Sequence, residues 1–190
     1  MLFRSGVRAT HDDFQPFIGT GEDRFIGGVA EKLKVPLTMP RDKQRTYAIY
    51  REIIRGKLQP LPGVREFIQL VRQQEVKLAV ATSADRVKMD GNLREIGLPV
   101  ASFDATVNGD ELARKKPFPD IFLLAASRLG LAAADCLVIE DAPSGVTAAQ
   151  AGGFRCLGLT TSFAAAVLRQ AGATWTAPDL AQVPAALWRG

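Results

Sequence analysis

The sequence predicts an α/β fold in which helices cover both faces of a parallel sheet and a small helical lobe comes first. Three observations lead to this prediction. From residue 64 to residue 171, short apolar runs typical of strands alternate with segments of helical periodicity. These runs are continuously apolar, which is typical of strands buried on both faces of a parallel sheet. Residues 22–34 and 41–57 show helical periodicity, and no strand pattern interrupts them.

The composition is that of a globular protein of 190 residues, with 47% hydrophobic and 23% charged side chains. A wholly disordered or fibrous chain is therefore excluded. The net charge of +4 comes from basic residues scattered along the chain, so we expect no nucleic-acid partner. No apolar run approaches the roughly 20 residues that span a bilayer, and the first residues lack the pattern of a secretory signal. We therefore expect a cytoplasmic protein without a membrane partner.

The first part of the chain, residues 1–60, is predicted to be the helical lobe. Two prolines and a glycine break the helical pattern over residues 58–63. This break places the lobe boundary there and starts the α/β core, residues 61–190. The predicted helices of the lobe span 22–34 and 41–57.

The core is predicted to alternate helices and strands to its end. In a parallel sheet, the loops after the carboxyl ends of the strands form the binding crevice. Three segments at such positions are therefore candidates for function. In chain order, the predicted elements are a helix from Val64, a strand at 76–81, a helix at 85–96, a strand at 103–107, a helix at 118–129, a strand at 136–140, a helix at 143–151, a strand at 154–159 and a helix at 163–171.

The first candidate segment follows the strand at 76–81 and contains Thr82 and Ser83. A hydroxyl together with free backbone N–H groups at a helix start can hold a phosphate. The alternative is an ordinary N-cap, in which one of these hydroxyls accepts hydrogen bonds from first-turn amides. By itself, this segment favours the N-cap.

The second candidate segment contains Lys115 and Lys116, followed by Pro117 and Pro119. The prolines restrict the backbone, so that one lysine is held in a defined direction. A fixed ammonium group would offset negative charge on a phosphoryl group. The alternative is two solvated lysines before a helix that is capped by Asp120.

The third candidate segment contains Glu140 and Asp141, directly after a buried strand. Two adjacent carboxylates in this position are costly unless they meet a cation or hydrogen-bond donors. Such oxygens are the ligands that Mg²⁺ uses in proteins, so a magnesium site is the functional interpretation. The alternative is an aspartate that caps the following helix, with a neighbouring glutamate in solvent.

Together, the three segments resemble motifs of the haloacid dehalogenase-like superfamily. The matching stretches are Ala-Val-Ala-Thr-Ser at 79–83, Lys-Lys-Pro-Phe-Pro-Asp-Ile-Phe at 115–122 and Val-Ile-Glu-Asp-Ala-Pro-Ser-Gly-Val at 138–146. They are similar to the second, third and fourth motifs of the superfamily. The prolines after the lysines and the Glu-Asp pair resemble its β-phosphoglucomutase-like branch, which contains phosphatases and phosphomutases. The resemblance extends from about residue 6 to residue 188.

The resemblance implies a Rossmann-like parallel sheet with a helical cap inserted after the first strand. It also implies a Mg²⁺-dependent phosphatase or phosphomutase that acts on a small phosphorylated metabolite such as a sugar phosphate. Thr20 lies in a stretch that resembles the cap loop facing the active site, and its alternative role is to cap the helix that follows. The implied site residues are Lys116 and Thr82 as catalytic groups, Thr82, Ser83, Lys116 and Thr20 in substrate binding, and Asp141 and Glu140 at the metal.

The first motif of the superfamily, an apolar strand that ends in Asp-x-Asp, does not occur in the sequence. The pair Asp12-Asp13 follows no apolar strand and resembles the start of a cap helix instead. The resemblance implies that the missing strand lies in the middle of the sheet, between the strands at 76–81 and 136–140. The pair Leu2-Phe3 is too short to replace it. We therefore expect these two strands to lose a shared neighbour or to pair in a new order.

The missing motif also leads to expectations about activity. Loss of a nucleophile costs many orders of magnitude in rate, about 10⁶ in the subtilisin example, and only one of three protein ligands of the metal would remain. We therefore expect an inactive truncated product, fragment or mis-called start of an enzyme of this family. The alternative is a non-catalytic module that binds phosphate or a protein. His11 is expected at the surface, and Cys136 and Cys156 as buried, reduced thiols.

Overall fold

The computed structural model describes residues 6–188 and has the predicted α/β architecture. Within that range, no helix is both long and apolar enough to cross a membrane. The helices are α1 (His11–Phe14), α2 (Glu22–Lys32), α3 (Met39–Ile54), α4 (Val64–Gln73), α5 (Arg86–Glu95), α6 (Asp120–Leu129), α7 (Pro143–Ala151) and α8 (Ala165–Gln170). The strands are β1 (Ala79–Ala81), β2 (Ala105–Val107), β3 (Leu137–Glu140), β4 (Arg155–Leu159) and β5 (Trp175–Ala177).

Each helix and strand predicted between residues 22 and 171 is present, with ends that differ by at most three residues. The sequence did not predict β5, because a strand of three residues with a central threonine makes no apolar run. Asp12 and Asp13 lie in the first helix, as expected, and Asp13 accepts hydrogen bonds from Thr10. His11 is exposed, as predicted.

The five strands form two separate parallel sheets in the described part of the chain. One sheet contains β1 and β2, and the other has the order β3-β4-β5. Among residues 6–188, β1 and β3 share no strand neighbour and do not pair with each other. We expected these strands either to lose a shared neighbour or to pair in a new order, and the first of these outcomes is observed. The prediction that concerns Leu2-Phe3 lies outside the described residues.

The core is formed where α6, α7 and α8 pack on the strands. Val146, Leu157 and Leu168 have no exposed surface, and α7 and α8 both contact β4. Cys156 is also fully buried, and burial raises the pKa of its thiol to about 12. Both cysteines are free thiols. Cys136 is only partly buried, because β3 lies beside β4 on one edge alone, so the expectation of two buried cysteines holds for Cys156 only.

The entry into α4 depends on a glycine. Gly63 has a φ of +78°, and a Cβ atom at this position would lie 2.1 Å from the backbone N of Ala181 and 2.4 Å from the carbonyl carbon of Leu180. The N–H of Leu180 donates to the carbonyl of Pro62 at 3.2 Å. The segment after β5 therefore packs directly on the turn before α4, and only a residue without a side chain leaves room for this contact.

We predict that Gly63→Ala destabilises the protein more than Gly56→Ala. Both glycines have positive φ, but a Cβ at Gly56 meets nothing within 4 Å. The shared left-handed conformation should cost about 1–2 kcal/mol in each variant, and the overlap with Ala181 should cost Gly63→Ala about 1–3 kcal/mol more. Urea denaturation of the two variants measures this difference. Equal losses of unfolding free energy would contradict the packing described for Gly63.

Candidate functional site

A cleft of about 570 Å³ lies at the carboxyl ends of β1, β3 and β4. The three candidate segments of the sequence meet there. The remaining wall comes from the loop before α2, from the start of α2 and from α5. The predicted residues that line the cleft are Thr82, Ser83, Lys116, Glu140 and Asp141.

Thr82 and Ser83 do not cap the helix that follows them. The N-cap of α5 is Asp85, whose Oδ1 accepts a hydrogen bond from the N–H of Lys88 at 3.2 Å. The hydroxyl of Thr82 instead accepts from the N–H of Ala84 at 3.1 Å, so its own proton can be donated to a ligand in the cleft. The capping interpretation of these two residues is therefore wrong.

The two lysines of the second segment have different roles. Lys115 turns away from the cleft and donates to the carbonyls of Gly109 and Leu112. Lys116 lines the cleft, with its Nζ 5.0 Å from the ring centroid of Phe122 and in an ion pair with Glu140. The Lys116 side chain is only 5% exposed. Neither lysine is simply solvated, and Lys116 is the one held in a defined direction.

Glu140 uses both carboxylate oxygens inside the protein. Oε1 accepts from Lys116, while Oε2 accepts from the backbone N–H groups of Asp141 at 2.9 Å and Ala142 at 3.0 Å. The side chain is 8% exposed, so these donors replace the water that a buried carboxylate loses. Glu140 thus holds the loop between β3 and α7 and the ammonium group of Lys116 at the same time.

The close approach of Glu140 to the first turn of α7 requires a glycine at position 145. A Cβ on Gly145 would lie 2.1 Å from Cδ of Glu140 and 2.2 Å from its Oε1. No side chain fits there unless the carboxylate moves. The glycine in the Ala-Pro-Ser-Gly stretch therefore has a local role that the sequence patterns did not reveal.

Asp141 can contribute to a magnesium site, but it does not form one alone. Its Oδ2 accepts from the hydroxyl of Ser162 at 2.6 Å, and no hydrogen bond to its Oδ1 is found in the described part of the chain. Residues 6–188 contain no group of three or more His, Cys, Asp or Glu side chains that could hold a metal ion. Mg²⁺ commonly binds to one or two carboxylates and completes its shell with phosphate oxygens and water. Asp141 fits this mode of binding, whereas the oxygens of Glu140 are occupied.

Ion pairs of two lysines connect α2 and α3 with residues beside the cleft. Lys88 of α5 pairs with Glu22 at the start of α2, and both residues line the cleft. Lys43 of α3 lies 3.1 Å from Asp85 and 2.7 Å from Asp23. Burial acts to lower the pKa of Lys43, but hydrogen bonds to Asp23 and Asp85 raise this pKa above its usual value. These contacts fix α2 and α3 next to the candidate site.

The loop before α2 approaches the core closely at Gly19. This residue has a φ of +80°, and a Cβ there would lie 2.9 Å from the hydroxyl of Ser144. Thr20 donates its hydroxyl to the carbonyl of Phe17 at 2.8 Å and is not among the residues that line the cleft. The N-cap of α2 is Gly21, so Thr20 closes the turn rather than capping the helix. A contact between Thr20 and a substrate stays a prediction.

Sequence patterns did not point to Glu22, Lys88 or Ser162. Glu22 and Lys88 are 66 positions apart, and no local pattern connects them. Ser162 had a detectable signal, since the polar residues Thr160, Thr161 and Ser162 directly follow the apolar strand β4. That position is equivalent to those of the three candidate segments.

The family profile of haloacid dehalogenase-like hydrolases matches residues 3–153 of this chain. The chain belongs to the haloacid dehalogenase-like hydrolase family. This match confirms the resemblance that the sequence motifs indicated. In this hydrolase chain, the cleft is the place where the segments that contain Thr82, Lys116 and Asp141 meet.

Several proteins are similar to this haloacid dehalogenase-like chain. The protein SUPPRESSOR OF QUENCHING 1, chloroplastic, of Arabidopsis thaliana is 42% identical over 181 residues, which cover 94% of this chain and 17% of the plant protein. The phosphorylated carbohydrates phosphatase of Thermotoga maritima is 32% identical over 148 residues, 78% of this chain and 68% of that protein. The solved structure of CbbY from Rhodobacter sphaeroides with phosphate superposes with a TM-score of 0.79 at 25% identity and covers 90% of this chain and 79% of that one.

The fraction of each relative's length that this hydrolase chain covers limits which of the relative's properties can be inferred for it. It spans only a small part of the plant protein, so the activity of that whole protein does not transfer to it. The name of the plant protein includes the word chloroplastic, and the expected cytoplasmic location therefore stays a prediction.

We predict that Gly145→Ala destabilises the protein while Gly91→Ala does not. Both glycines lie inside helices, where alanine is favoured by about 0.5–1 kcal/mol. A Cβ at Gly91 meets nothing within 4 Å, whereas a Cβ at Gly145 overlaps the carboxylate of Glu140. We expect Gly145→Ala to lose about 1–3 kcal/mol of unfolding free energy, measured by urea denaturation. A Gly145→Ala variant as stable as Gly91→Ala would show that Glu140 does not occupy the described position.

Proposed function

We propose that the cleft binds the phosphate group of a small phosphorylated metabolite, most simply a sugar phosphate, as in a Mg²⁺-dependent phosphatase or phosphomutase. The observation that supports this function is the meeting of Thr82, Lys116 and Asp141 in one cleft. These side chains offer a hydroxyl donor, a fixed cation and a metal-binding oxygen, which are groups that bind a phosphoryl group and stabilise its charge. The family membership supports the same reaction class.

In this proposal, the phosphate lies between Thr82 and Lys116. The hydroxyl of Thr82 and the nearby backbone N–H groups donate hydrogen bonds to phosphate oxygens. Lys116 supplies positive charge in a water-poor environment, where a fixed ammonium group acts more strongly than in solvent. Glu140 and Phe122 hold Lys116 in place, so little reorganisation is needed when the phosphate binds.

Asp141 is proposed to hold Mg²⁺ together with the bound phosphate. When it is bound, Mg²⁺ neutralises charge on the phosphoryl group. Ser162 orients the Asp141 carboxylate by its hydrogen bond at 2.6 Å. Glu140 is proposed to act beside the metal rather than as a direct ligand, because its oxygens accept hydrogen bonds from Lys116, Asp141 and Ala142.

The part of the cleft under the lobe, residues 1–60 in the proposed division, is suited to a leaving group with hydroxyls. Glu22 and Lys88 offer acceptor and donor groups there, next to the side chains of Phe25 and Asn92. An oxygen of Asn92, Oδ1, is buried without a partner among the described residues, so a hydroxyl that donates to it would be favoured. The name of the Thermotoga maritima relative, a phosphatase of phosphorylated carbohydrates, supports a sugar phosphate.

A second candidate function is binding without catalysis. The 190 residues contain no Asp-x-Asp pair at the end of an apolar strand, and the family mechanism uses such an aspartate as nucleophile. The chain is therefore proposed to bind a phosphorylated ligand while it hydrolyses that ligand far more slowly than a family member that has the nucleophile. Whether a member of the family acts as a phosphatase or as a phosphomutase depends on the acid/base group of the Asp-x-Asp motif.

To test the proposed function, calorimetry measures the binding of glucose 6-phosphate in the presence of Mg²⁺. We expect Thr82→Val to weaken binding about tenfold, because one hydrogen bond to a charged phosphate oxygen is lost. Thr106→Val is the matched control, since Thr106 lies in β2 and does not line the cleft.

The possible results of this experiment have different meanings. Binding with release of inorganic phosphate would show a phosphatase, and binding with isomerisation of the sugar phosphate would show a mutase. Binding with neither reaction would show the non-catalytic module. Absence of binding to glucose 6-phosphate and to a panel of other sugar phosphates would refute the proposed site. An equal effect of Thr82→Val and Thr106→Val would exclude Thr82 as a phosphate ligand.

We predict that the protein binds Mg²⁺ appreciably only when phosphate is present. Asp141 alone offers too few ligands, and phosphate oxygens complete the shell. Titration of the protein with Mn²⁺ as a paramagnetic substitute, with and without inorganic phosphate, measures this dependence. Asp141→Asn should remove the phosphate-dependent binding, whereas Asp90→Asn, which alters a carboxylate outside the cleft, should keep it. Tight metal binding without phosphate would contradict the prediction.

A further inference from the structure

The cleft at the strand ends contains a second pair of opposite charges in addition to Lys116 and Glu140. Lys88 of α5 and Glu22 at the start of α2 form this pair, and both side chains line the cleft. The Glu22 side chain is 11% exposed and the Lys88 side chain 23%. Because the pair is largely shielded from water, its charges act strongly on a ligand in this part of the cleft.

The loop before α2 brings Glu22 close to the segment that is proposed to hold the phosphate. A Cβ on Gly21, the residue before Glu22, would lie 3.6 Å from the carbonyl oxygen of Ser83 and 3.9 Å from Cγ of Lys115. Thr82 and Glu22 line the same cleft of about 570 Å³. A small molecule whose phosphate is bound at Thr82 therefore extends towards Glu22 with the rest of its structure.

Lys88 is not available to a second anionic group of such a molecule. Its Nζ lies 5.1 Å from the ring centroid of Tyr50 and 5.9 Å from that of Phe25, and it is paired with Glu22. If Lys88 turned to a ligand, the carboxylate of Glu22 would stay in a mostly buried position without a partner, which is costly. The charge of Lys88 is thus already used within the protein.

The carboxylate of Glu22 has one oxygen left for a ligand. Lys88 donates to its Oε1, and among residues 6–188 no hydrogen bond to Oε2 is found. An ionised carboxylate accepts hydrogen bonds but donates none. A hydroxyl of a sugar can therefore donate to Oε2, whereas a fully ionised phosphate has no proton to donate and is repelled by the negative charge.

The ion pairs next to Glu22 add to this repulsion of anions. Asp23 and Asp85 both contact Lys43, at 2.7 and 3.1 Å. With the pair in the cleft, the ion-paired cluster contains three carboxylates and two ammonium groups. Burial raises the pKa of the Tyr47 phenol, and the carboxylates of Asp85, Glu22 and Asp23 raise it further, because they repel an ionised phenol. They would repel an anionic part of a ligand in the same way.

We propose that Glu22 determines specificity by charge: the cleft accepts phosphate monoesters whose leaving group is neutral and rejects those that carry a second anionic group, such as sugar bisphosphates. Glu22 cancels the charge of Lys88, which would otherwise attract a second phosphate, and accepts a hydrogen bond from a hydroxyl of the leaving group. This inference rests on the proposed function, since it concerns the substrate of the same cleft.

The test compares glucose 6-phosphate with glucose 1,6-bisphosphate by calorimetry at one Mg²⁺ concentration. If another sugar phosphate of the panel binds more tightly, that sugar and its bisphosphate are used. The measured quantity is the Kd of the bisphosphate divided by the Kd of the monophosphate. We expect a ratio above one for the unmodified protein and a ratio about tenfold smaller for Glu22→Gln, because Lys88 can then pair with the second phosphate.

Two further variants make the result specific. Lys88→Gln should raise the ratio about tenfold, because the charge of Glu22 is then uncompensated. Partial unfolding would weaken both ligands alike and cannot give opposite changes in Glu22→Gln and Lys88→Gln. Asp23→Asn is the matched control, since it removes a carboxylate from the same turn of α2 but alters a residue that pairs with Lys43 and does not line the cleft.

Each other result contradicts a particular statement. A bisphosphate that binds to the unmodified protein as tightly as the monophosphate would overturn the role of Glu22 and leave the phosphate site intact. Equal changes in Glu22→Gln and Asp23→Asn, or changes of the same sign in Glu22→Gln and Lys88→Gln, would also overturn it. If no sugar phosphate binds to the unmodified protein, the proposed function fails, and this inference fails with it.

Discussion

The buried ion pair between Lys116 and Glu140 is the interaction on which the candidate site depends. Lys116 comes from the connection after β2, in one sheet, and Glu140 ends β3, in the other. The pair therefore links the two sheets at the edge where the cleft lies. Removal of one partner of a buried ion pair typically costs about 3–5 kcal/mol, because the other charge stays buried. The geometry of the site and the attachment of the sheets to each other thus share one contact.

The surroundings of this ion pair are arranged to keep both charges in one orientation. Two backbone N–H groups hold the second oxygen of Glu140, and Phe122 lies beside the ammonium group. The absence of a side chain at Gly145 gives the carboxylate its space. A site in which charges are fixed before the ligand arrives loses less free energy to reorganisation on binding. This holds for a catalyst and for a binding module alike.

Local patterns in the sequence predicted the elements of the fold and the strand ends that form the site. Periodicity and apolar runs depend on neighbouring residues, so they located each helix and nearly every strand. The choice between Lys115 and Lys116 required the path of the backbone, and so did the assignment of the α5 cap to Asp85 rather than Thr82. The pairing of Glu22 with Lys88 joins distant parts of the chain.

The division into two sheets has a consequence for how the protein unfolds. In a continuous sheet, backbone hydrogen bonds connect all strands and favour a single cooperative transition. Here, across residues 6–188, no strand pairing joins the two sheets. They are linked by side-chain packing, the covalent connections, the Lys116–Glu140 pair and the hydrogen bond from Leu180 to Pro62. The β1–β2 unit can therefore open as a separate foldon while β3, β4 and β5 keep their hydrogen bonds. Its opening would uncover the edge of β3 that pairs with no strand among residues 6–188, so the frequency of this local event sets how often the molecule is open to aggregation.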